Sequence, residues 1–479
     1  MPIFGHHYGS GEVLLSVLLY LSTSAGFRGV SRSFGLFSIY LAGLLKQMSY
    51  STLNHWVLRL GYGLLTQPLP KSNDWIYILD HSIQLGTDRC LVILGVRAQS
   101  LGQDGYNLTH QQMQVLDIYI HSKACAQVVY ERLGLAAKRS GRPVQVLSDQ
   151  GADIRKGVAL FAQDHPRLIC SSDITHKIGC LLKKYLPTDP RWVGLETTLT
   201  SISHRIKQSN LSFLRPATVG KKSRWLNIEK IMSWLTQLFR YQQQGDFGLI
   251  ARGFQIANPD KILAQLYDHL PDKRQAQTLK KKLTTLVVQT PEDLRLEPLS
   301  QFPAIIDQIQ WVPRATVEFE NKFQPLFEYR AFAKELDQLH QVLSQTKTII
   351  KNEGLSLDTL AKIERIETEI SYPLIRKLYT ELVNFLVKEH AQAGPDPRAM
   401  LLCSDVIESI FGKYKAKAKT SVGGMYQSVL MIPLFCETLS HQKIKSILEE
   451  VSIKQVYQWI DHIRGPSNLA KRRRAFKFT

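Results

Sequence analysis

The sequence predicts an α/β protein with a core of strands and helices, interrupted by an all-α insertion and preceded by a small helical domain. Strand and helix patterns alternate over residues 69–189, and the strand pattern almost disappears over residues 190–399. The 479 residues are 44% hydrophobic and 21% charged. This composition is typical of a folded chain of roughly two to four domains, and it excludes a disordered or fibrous protein.

The charge balance favours a polyanionic partner. Lys and Arg number 60 against 41 Asp and Glu, which gives a net charge of +19. Nucleic acid is the first expectation, and an acidic membrane surface is the second. The longest early apolar run, Val13 to Leu21, is too short to span a bilayer, and the six cysteines lack metal-binding spacing. We therefore expect a cytoplasmic protein with reduced thiols and no membrane partner.

Residues 1–68 are predicted to form a helical DNA-binding domain of the helix-turn-helix type. Helical patterns cover Glu12–Leu21 and the stretch from Arg28 to Phe34. A third helix follows Ser49 or Ser51, either of which can act as its N-cap, and carries Arg59, a predicted DNA contact. An exposed polar first turn is typical of a recognition helix, whose N-terminal residues reach base edges. A plain helical packing unit is the alternative.

Residues 69–189 are predicted to form the first part of a sheet-containing core. Four strands are expected at Trp75–Asp80, Cys90–Val96, Val115–Ile120 and Pro143–Leu147, and a fifth at Arg167–Cys170. Helices are expected after the third, fourth and fifth strands. Three strands, a helix, a strand, a helix and a strand is the element order of an RNase H-like core.

Three carboxylates in this arrangement suggest a metal site. Asp80 and Asp149 lie at the ends of the first and fourth strands, which are neighbours in this topology, and ligands bind at the carboxyl ends of parallel strands. Oxygen ligands suit Mg²⁺, and two such ions can promote a phosphodiester displacement. Glu408 is the predicted third ligand, on a helix in residues 400–420, where the core resumes. A turn or cap role for each Asp is the alternative.

The helix of Glu408 also carries predicted DNA contacts. Asp405 and Lys415 share its face with Glu408, and Lys413 lies to the side. An acid for metal and lysines for phosphate suit the edge of an active site. A solvated surface is the alternative for such a face.

Three runs of the sequence resemble the catalytic blocks of bacterial insertion-sequence transposases of the DDE type. They read "YILDHSIQLGTDRCLVILGV", "VLSDQGADIRKG" and "SDVIESIFGKYKAK". The resemblance implies that Asp80, Asp149 and Glu408 form a catalytic triad that binds Mg²⁺, with Mn²⁺ as a substitute. It also implies strand cleavage and transfer by a homo-oligomer bound to double-stranded DNA, at element ends and target. The Tyr-Arg-Glu-Lys signature of one branch is absent around Glu408, so a hairpin intermediate is not implied.

Further DNA contacts are predicted outside the triad. Trp192 and Trp225, in the insertion at 190–399, lie among basic residues and are candidates for stacking on an unpaired base. Arg472, Arg473 and Arg474 lie in the basic tail of the helical C-terminal segment, 421–479. Core packing is the alternative for each Trp, and a solvated surface for the tail.

Two other functions remain open. A metal-dependent, structure-selective nuclease on the same fold would cut DNA without joining ends. A non-catalytic DNA-binding protein derived from a transposase would no longer use the metal site. In each case we expect a protein of the bacterial cytoplasm, associated with the nucleoid.

Overall fold

The chain divides into two compact units. The computed structural model describes residues 1–41, 44–85, 88–121, 125–149, 151–209, 211–220, 225–244, 274, 318–393, 399–419, 424–464 and 468–476. The first unit combines residues 1–177, 346–365 and 383–479, and the second combines residues 178–345 and 366–382. Both units are therefore built from segments that are far apart in the sequence.

A five-stranded mixed sheet forms the centre of the first unit. Its strands are β1 (Trp75–Leu85), β2 (Asp88–Arg97), β3 (Gln114–His121), β4 (Pro143–Ser148) and β5 (Ile169–Ser172). The order across the sheet is β3-β2-β1-β4-β5. The pairs β1–β2 and β2–β3 are antiparallel, whereas β1–β4 and β4–β5 are parallel. The predicted mixed α/β character is confirmed.

The prediction that β1 ends at Asp80 is wrong, because the strand continues to Leu85. The parallel pairing with β4 stops at Leu79, whereas the antiparallel pairing with β2 runs on to Leu85 and Asp88. Backbone hydrogen bonds to β2 hold this extension, so it does not need a run of apolar side chains. The register shifts between His81 and Gln84, which is the mark of a β-bulge.

Helices make up most of the remaining described chain, with short helical turns within residues 425–435. The longer ones are α1 (Ser10–Ser22), α2 (Phe27–Tyr40), α3 (Tyr50–Thr66), α4 (Ala98–Asp104), α5 (Ala126–Ser140), α6 (Ala152–Gln163), α7 (Ile174–Tyr185), α8 (Pro190–Ile206), α9 (Ile228–Gln244), α10 (Arg330–Glu353), α11 (Leu357–Thr368), α12 (Pro373–Gln392), α13 (Asp405–Ala418), α14 (His441–Glu450), α15 (Ile453–Arg464) and α16 (Asn468–Ala475). After α10 the chain forms two consecutive helices, α11 and α12. Pro373 begins the second, because a residue without an amide hydrogen is tolerated at a helix start.

The two faces of the sheet have different covers. Ile78 of β1 and Leu147 of β4 belong to a hydrophobic core that also contains residues of α1, α2, α3, α13, α14 and α15. Tyr77 and Val146, one position earlier on each strand, belong to a second core with α5 and α6. The N-terminal and C-terminal helices therefore share one core with the sheet.

Two glycines allow close packing of α3, the most buried of the N-terminal helices. A Cβ atom on Gly61 would lie 1.8 Å from the carbonyl oxygen of Leu430. On Gly63 it would lie 2.4 Å from the side chain of Ile447 in α14. No side chain fits at either distance, so both positions need glycine.

In the described part of the second unit, all regular secondary structure is helical. The unit contains α8, α9 and parts of the helices that bound it. Arg191 joins two of its segments by ion pairs to Asp189 and Glu335, both with N–O distances of 2.7 Å. Much of the predicted insertion, at residues 245–273 and 275–317, lies outside the described residues. Among the helices that the structure describes, none has the length and hydropathy needed to cross a membrane.

Candidate active site

Asp80 and Asp149 each come directly after the last pair of residues that joins β1 to β4. The parallel pairing of β1 with β4 places Leu79 opposite Ser148, so the residues that follow each of them are neighbours. Asp80 comes two residues after Ile78 and is therefore on the same face of β1, the face that α13 covers. Asp149 likewise comes two residues after Leu147, which belongs to that face of β4. The Oδ1 atom of Asp149 accepts a hydrogen bond from the Gly151 amide at 2.9 Å. Both carboxylates are half-buried.

Glu408 lies in the first turn of α13, on the helix that packs against β1. Ile407 and Ile410, on either side of it in the helix, join the core that contains Ile78. The Oε1 atom of Glu408 is shielded from solvent. Glu408 also lines a cleft of about 640 Å³, and neither Asp80 nor Asp149 belongs to the lining of that cleft.

Asp173 fixes the start of α13. Its Oδ2 atom accepts hydrogen bonds from the backbone N and the hydroxyl of Ser404, at 2.7 and 2.6 Å. Its Oδ1 atom accepts from the amide of His176, at 2.6 Å, in the first turn of α7. Ser404 occupies the N-cap position of α13, but its side chain makes no capping hydrogen bond to that helix. The side chain of Ser404 therefore contacts Asp173 and does not cap the helix that it precedes.

Asp405, predicted to share a helix face with Glu408, forms ion pairs with two lysines of α10. Its Oδ2 atom is 2.9 Å from Lys347 Nζ and 3.4 Å from Lys351 Nζ. Its Oδ1 atom accepts from the hydroxyl of Thr175 at 3.2 Å. Burial alone would raise the pKa of Asp405, but the two lysines outweigh it and hold this pKa below its ordinary value.

The positions of Asp80 and Asp149, at the end of the parallel pairing of β1 with β4, fit one requirement of a Mg²⁺ site. Mg²⁺ is usually bound by one or two protein carboxylates and keeps several waters. Among the described residues, however, no three His, Cys, Asp or Glu side chains are grouped closely enough to hold a metal ion. The two aspartates therefore suit the ion as a pair, and the part of Glu408 in binding it stays a prediction.

A histidine pair lies next to the aspartates, and the sequence pattern does not predict it. The Nε2 atoms of His81 and His121 are 3.0 Å apart, and His81 Nδ1 is 3.7 Å from Asp153 Oδ2. Burial lowers the pKa of His81, and the charges of Asp153 and Asp149 partly oppose this. Only the positions of the two histidines in the sequence could have indicated the pair, because His81 follows Asp80 directly and His121 is the last residue of β3.

The lysines predicted as DNA contacts on α13 are both exposed. Lys413 Nζ lies 2.8 Å from Nδ1 of His110 and lines the same cleft as Glu408. Lys415 lies on the exposed side of the helix. Arg472, Arg473 and Arg474 are exposed on α16.

Arg59 has structural contacts within the first unit. Its Nε atom donates to the carbonyl oxygen of Val451 at 2.6 Å, and a guanidinium nitrogen donates to that of Leu448. Both carbonyls belong to the C-terminal end of α14, where helix carbonyls lack intrahelical partners. Arg59 thus closes this end with a positive charge, which the helix dipole favours.

The two tryptophans expected to stack on a base differ in exposure. Trp192, on α8, is 2% exposed and is among the largest fully buried side chains. Trp225 is half-buried, with its ring 6.1 Å from that of His340 in an edge-to-face arrangement. Of the two, only Trp225 presents surface to a base without rearrangement of the second unit.

Comparisons with known proteins add a distant structural likeness. No protein-family model matches the sequence, and no curated protein does. A solved structure described as the Drosophila P element transposase strand transfer complex is similar to the chain at 12% sequence identity. The similarity covers 93% of this chain and 92% of that one, with a TM-score of 0.38. A likeness of this size decides neither the fold nor the function.

Proposed function

We propose that the chain is a DNA transposase of the DDE type, with Asp80, Asp149 and Glu408 as its catalytic carboxylates. The observation that carries the proposal is the adjacency of Asp80 and Asp149 where the parallel pairing of β1 with β4 ends. The strand order, antiparallel on one side of β1 and parallel on the other, supports an RNase H-like core. Glu408 enters on the helix that covers the same sheet face.

Asp80 and Asp149 would hold Mg²⁺ through their carboxylate oxygens, and Glu408 is proposed as the third ligand. Bound there, the ion would activate the attacking oxygen and stabilise the leaving one in a phosphodiester displacement. Asp173 would act as a positioning residue, because it fixes the start of the helix that carries Glu408. Water would attack first at the element's end, and the freed 3′-OH would then attack target DNA.

The proposal includes DNA binding by the N-terminal helices. Ser49 caps α3 by accepting a hydrogen bond from the Thr52 amide at 3.0 Å. Tyr50 is 39% exposed and Ser51 is also exposed, so the first turn is open to a partner. This supports a helix-turn-helix contact, in which the N-terminal residues of one helix meet base edges. Joining two ends would require at least two copies of the chain on DNA.

The decisive experiment is strand cleavage on labelled DNA that carries the gene's own flanking sequence. Wild type and Glu408→Gln are compared in Mg²⁺ and in Mn²⁺, with DNA binding measured in parallel. The proposal expects cuts at one defined position, 3′-OH ends, and loss of cutting in the variant with binding retained. Cutting that persists in Glu408→Gln would remove this residue from the site.

A non-catalytic DNA-binding protein is the second candidate. It needs only DNA contacts, and Lys413 and Lys415 are exposed on α13, as are Arg472, Arg473 and Arg474 on α16. Tight, salt-sensitive DNA binding without cutting in either metal would establish this candidate. Defined cutting without transfer to a target DNA would instead indicate a nuclease.

A further inference from the structure

The cleft beside Glu408 is lined by a concentration of cationic side chains. Its volume is about 640 Å³, and all of its lining residues belong to the first unit. Lys347 and Lys351, near the end of α10, and Lys413, on α13, contribute three ammonium groups. Asp405 and Glu408 contribute two carboxylates. The lining therefore carries an excess of positive charge.

Asp405 holds two of these lysines together on one wall. A single carboxylate oxygen is 2.9 Å from Lys347 Nζ and 3.4 Å from Lys351 Nζ. The side chains of Lys347 and Lys351 stay 24% and 36% exposed, so both are accessible from the cleft. One negative charge shared by two lysines leaves a net positive charge at this wall.

The third lysine keeps donors for a ligand. Lys413 Nζ lies 2.8 Å from Nδ1 of His110, whose Nε2 lies 3.0 Å from the hydroxyl of Ser409. Burial and the nearby Lys413 both lower the pKa of His110, which favours a neutral imidazole that accepts from the lysine. An ammonium group has three donors, so two remain for an anion.

The size and composition of the cleft fit a single strand. A volume of this order suits a ligand of small-molecule size and does not admit a double helix. Tyr106 adds an aromatic side chain to the lining, held by a hydrogen bond from its hydroxyl to the Ala399 carbonyl at 2.7 Å. Cationic groups beside aromatic rings are the usual means of holding unpaired nucleic acid.

We propose that this cleft binds a phosphate group of an unpaired DNA strand, with Lys347, Lys351 and Lys413 as its cationic contacts. The inference rests on the proposed function, because Glu408 lines the same cleft. The bound phosphate would compete with the carboxylate of Asp405 for Lys347 and Lys351. Replacing the lysines and replacing the aspartate should therefore change affinity in opposite directions.

The test uses the full chain and a fluorescent single-stranded oligonucleotide of about 12 nucleotides, within the usual site size for such strands. EDTA in the buffer prevents metal-dependent cutting. The double variant Lys347→Met with Lys351→Met is expected to bind about tenfold more weakly. Its slope of log affinity against log salt should fall by about 0.7 for every phosphate that the variant no longer neutralises. Asp405→Asn should bind more tightly than wild type.

Lys362→Met is the matched control. Lys362 also pairs with a carboxylate, that of Glu353, and it lies in the first unit but outside the cleft lining. The Lys362→Met variant should bind the oligonucleotide with the same affinity as wild type. Thermal unfolding of every variant separates weaker binding from loss of the fold.

Three results would overturn the inference: unchanged binding in the double lysine variant, weaker binding in both the lysine and the aspartate variants, or tighter binding of thymidine monophosphate than of the oligonucleotide. The last would indicate a site for a free nucleotide. Because the assay contains no divalent ion, its outcome is independent of strand cleavage. Lysine-dependent binding without any cutting in Mg²⁺ would keep the cleft as a strand site and reject the transposase.

Discussion

Ser404 donates two hydrogen bonds to a single oxygen of Asp173, one from its backbone N and one from its hydroxyl. Asp173 also donates its own amide hydrogen to the carbonyl of Ser148, the last residue of β4, at 3.0 Å. The start of the helix that carries Glu408 is therefore tied to the strand end that precedes Asp149. This link connects two proposed ligands that are far apart in the sequence.

Asp173→Ala should destabilise the first unit more than Ser404→Ala. Asp173 is fully buried, and its removal leaves the Ser404 amide, the Ser404 hydroxyl and the His176 amide without their acceptor. We expect a cost of about 3 kcal/mol for Asp173→Ala and about 1 kcal/mol for Ser404→Ala. Urea unfolding of both variants measures the difference. Equal costs would mean that the two residues act only as a pair.

Arg59→Met should lower stability and leave the salt dependence of DNA binding unchanged. The variant lacks the two hydrogen bonds to the end of α14, at a cost of about 2 kcal/mol. Urea unfolding and titrations with double-stranded DNA at several salt concentrations measure the two effects. Lys415→Met is the comparison, because Lys415 is exposed and its replacement should reduce the salt slope. A reduced slope in Arg59→Met would show that Arg59 contacts phosphate.

Alanine should have opposite effects at two helical glycines. Gly61→Ala places a Cβ atom against the Leu430 carbonyl, a backbone group that cannot turn aside, so we expect severe destabilisation. Gly134, in α5, has open space around its added Cβ, and Gly134→Ala should stabilise the chain by roughly 0.5–1 kcal/mol. Thermal unfolding of both variants checks the sign. Stabilisation by Gly61→Ala would contradict the close packing of α3.

The free energy of unfolding should decrease as the pH is lowered below about 6.5, the ordinary pKa of a histidine. His110 and His55 have pKa values below this ordinary value, in each case with burial as the largest cause. At a pH between the lowered pKa and the ordinary one, the unfolded chain binds more protons than the folded chain, so the free energy of unfolding decreases with decreasing pH. Urea unfolding at about pH 7.5 and about pH 5.5, on either side of the ordinary value, measures the decrease. His110→Gln should show a smaller decrease than wild type.

The sheet is predictable from the sequence because its signals are local. Alternating apolar residues and turn residues mark all five strands, and the element order makes Asp80 and Asp149 neighbours. The extension of β1 beyond Asp80 carries no such signal, because its polar residues are held by backbone pairing with β2. Partners distant in sequence give no signal either, as Asp173 with Ser404 and Arg59 with Val451 show. The cleft lysines, Lys347 and Lys351, are unpredictable for the same reason.

The first unit is assembled from three separate stretches of the chain, which the ribosome makes at different times. The sheet is complete once β5 has been made at Ser172, but the helix that covers one of its faces ends at Ala418. At ribosomal rates of roughly 5–20 residues per second, this interval lasts on the order of tens of seconds. Throughout that time the apolar face formed by Ile78 and Leu147 lacks the part of its cover that α13, α14 and α15 supply, and it offers a binding surface to chaperones or to other nascent chains.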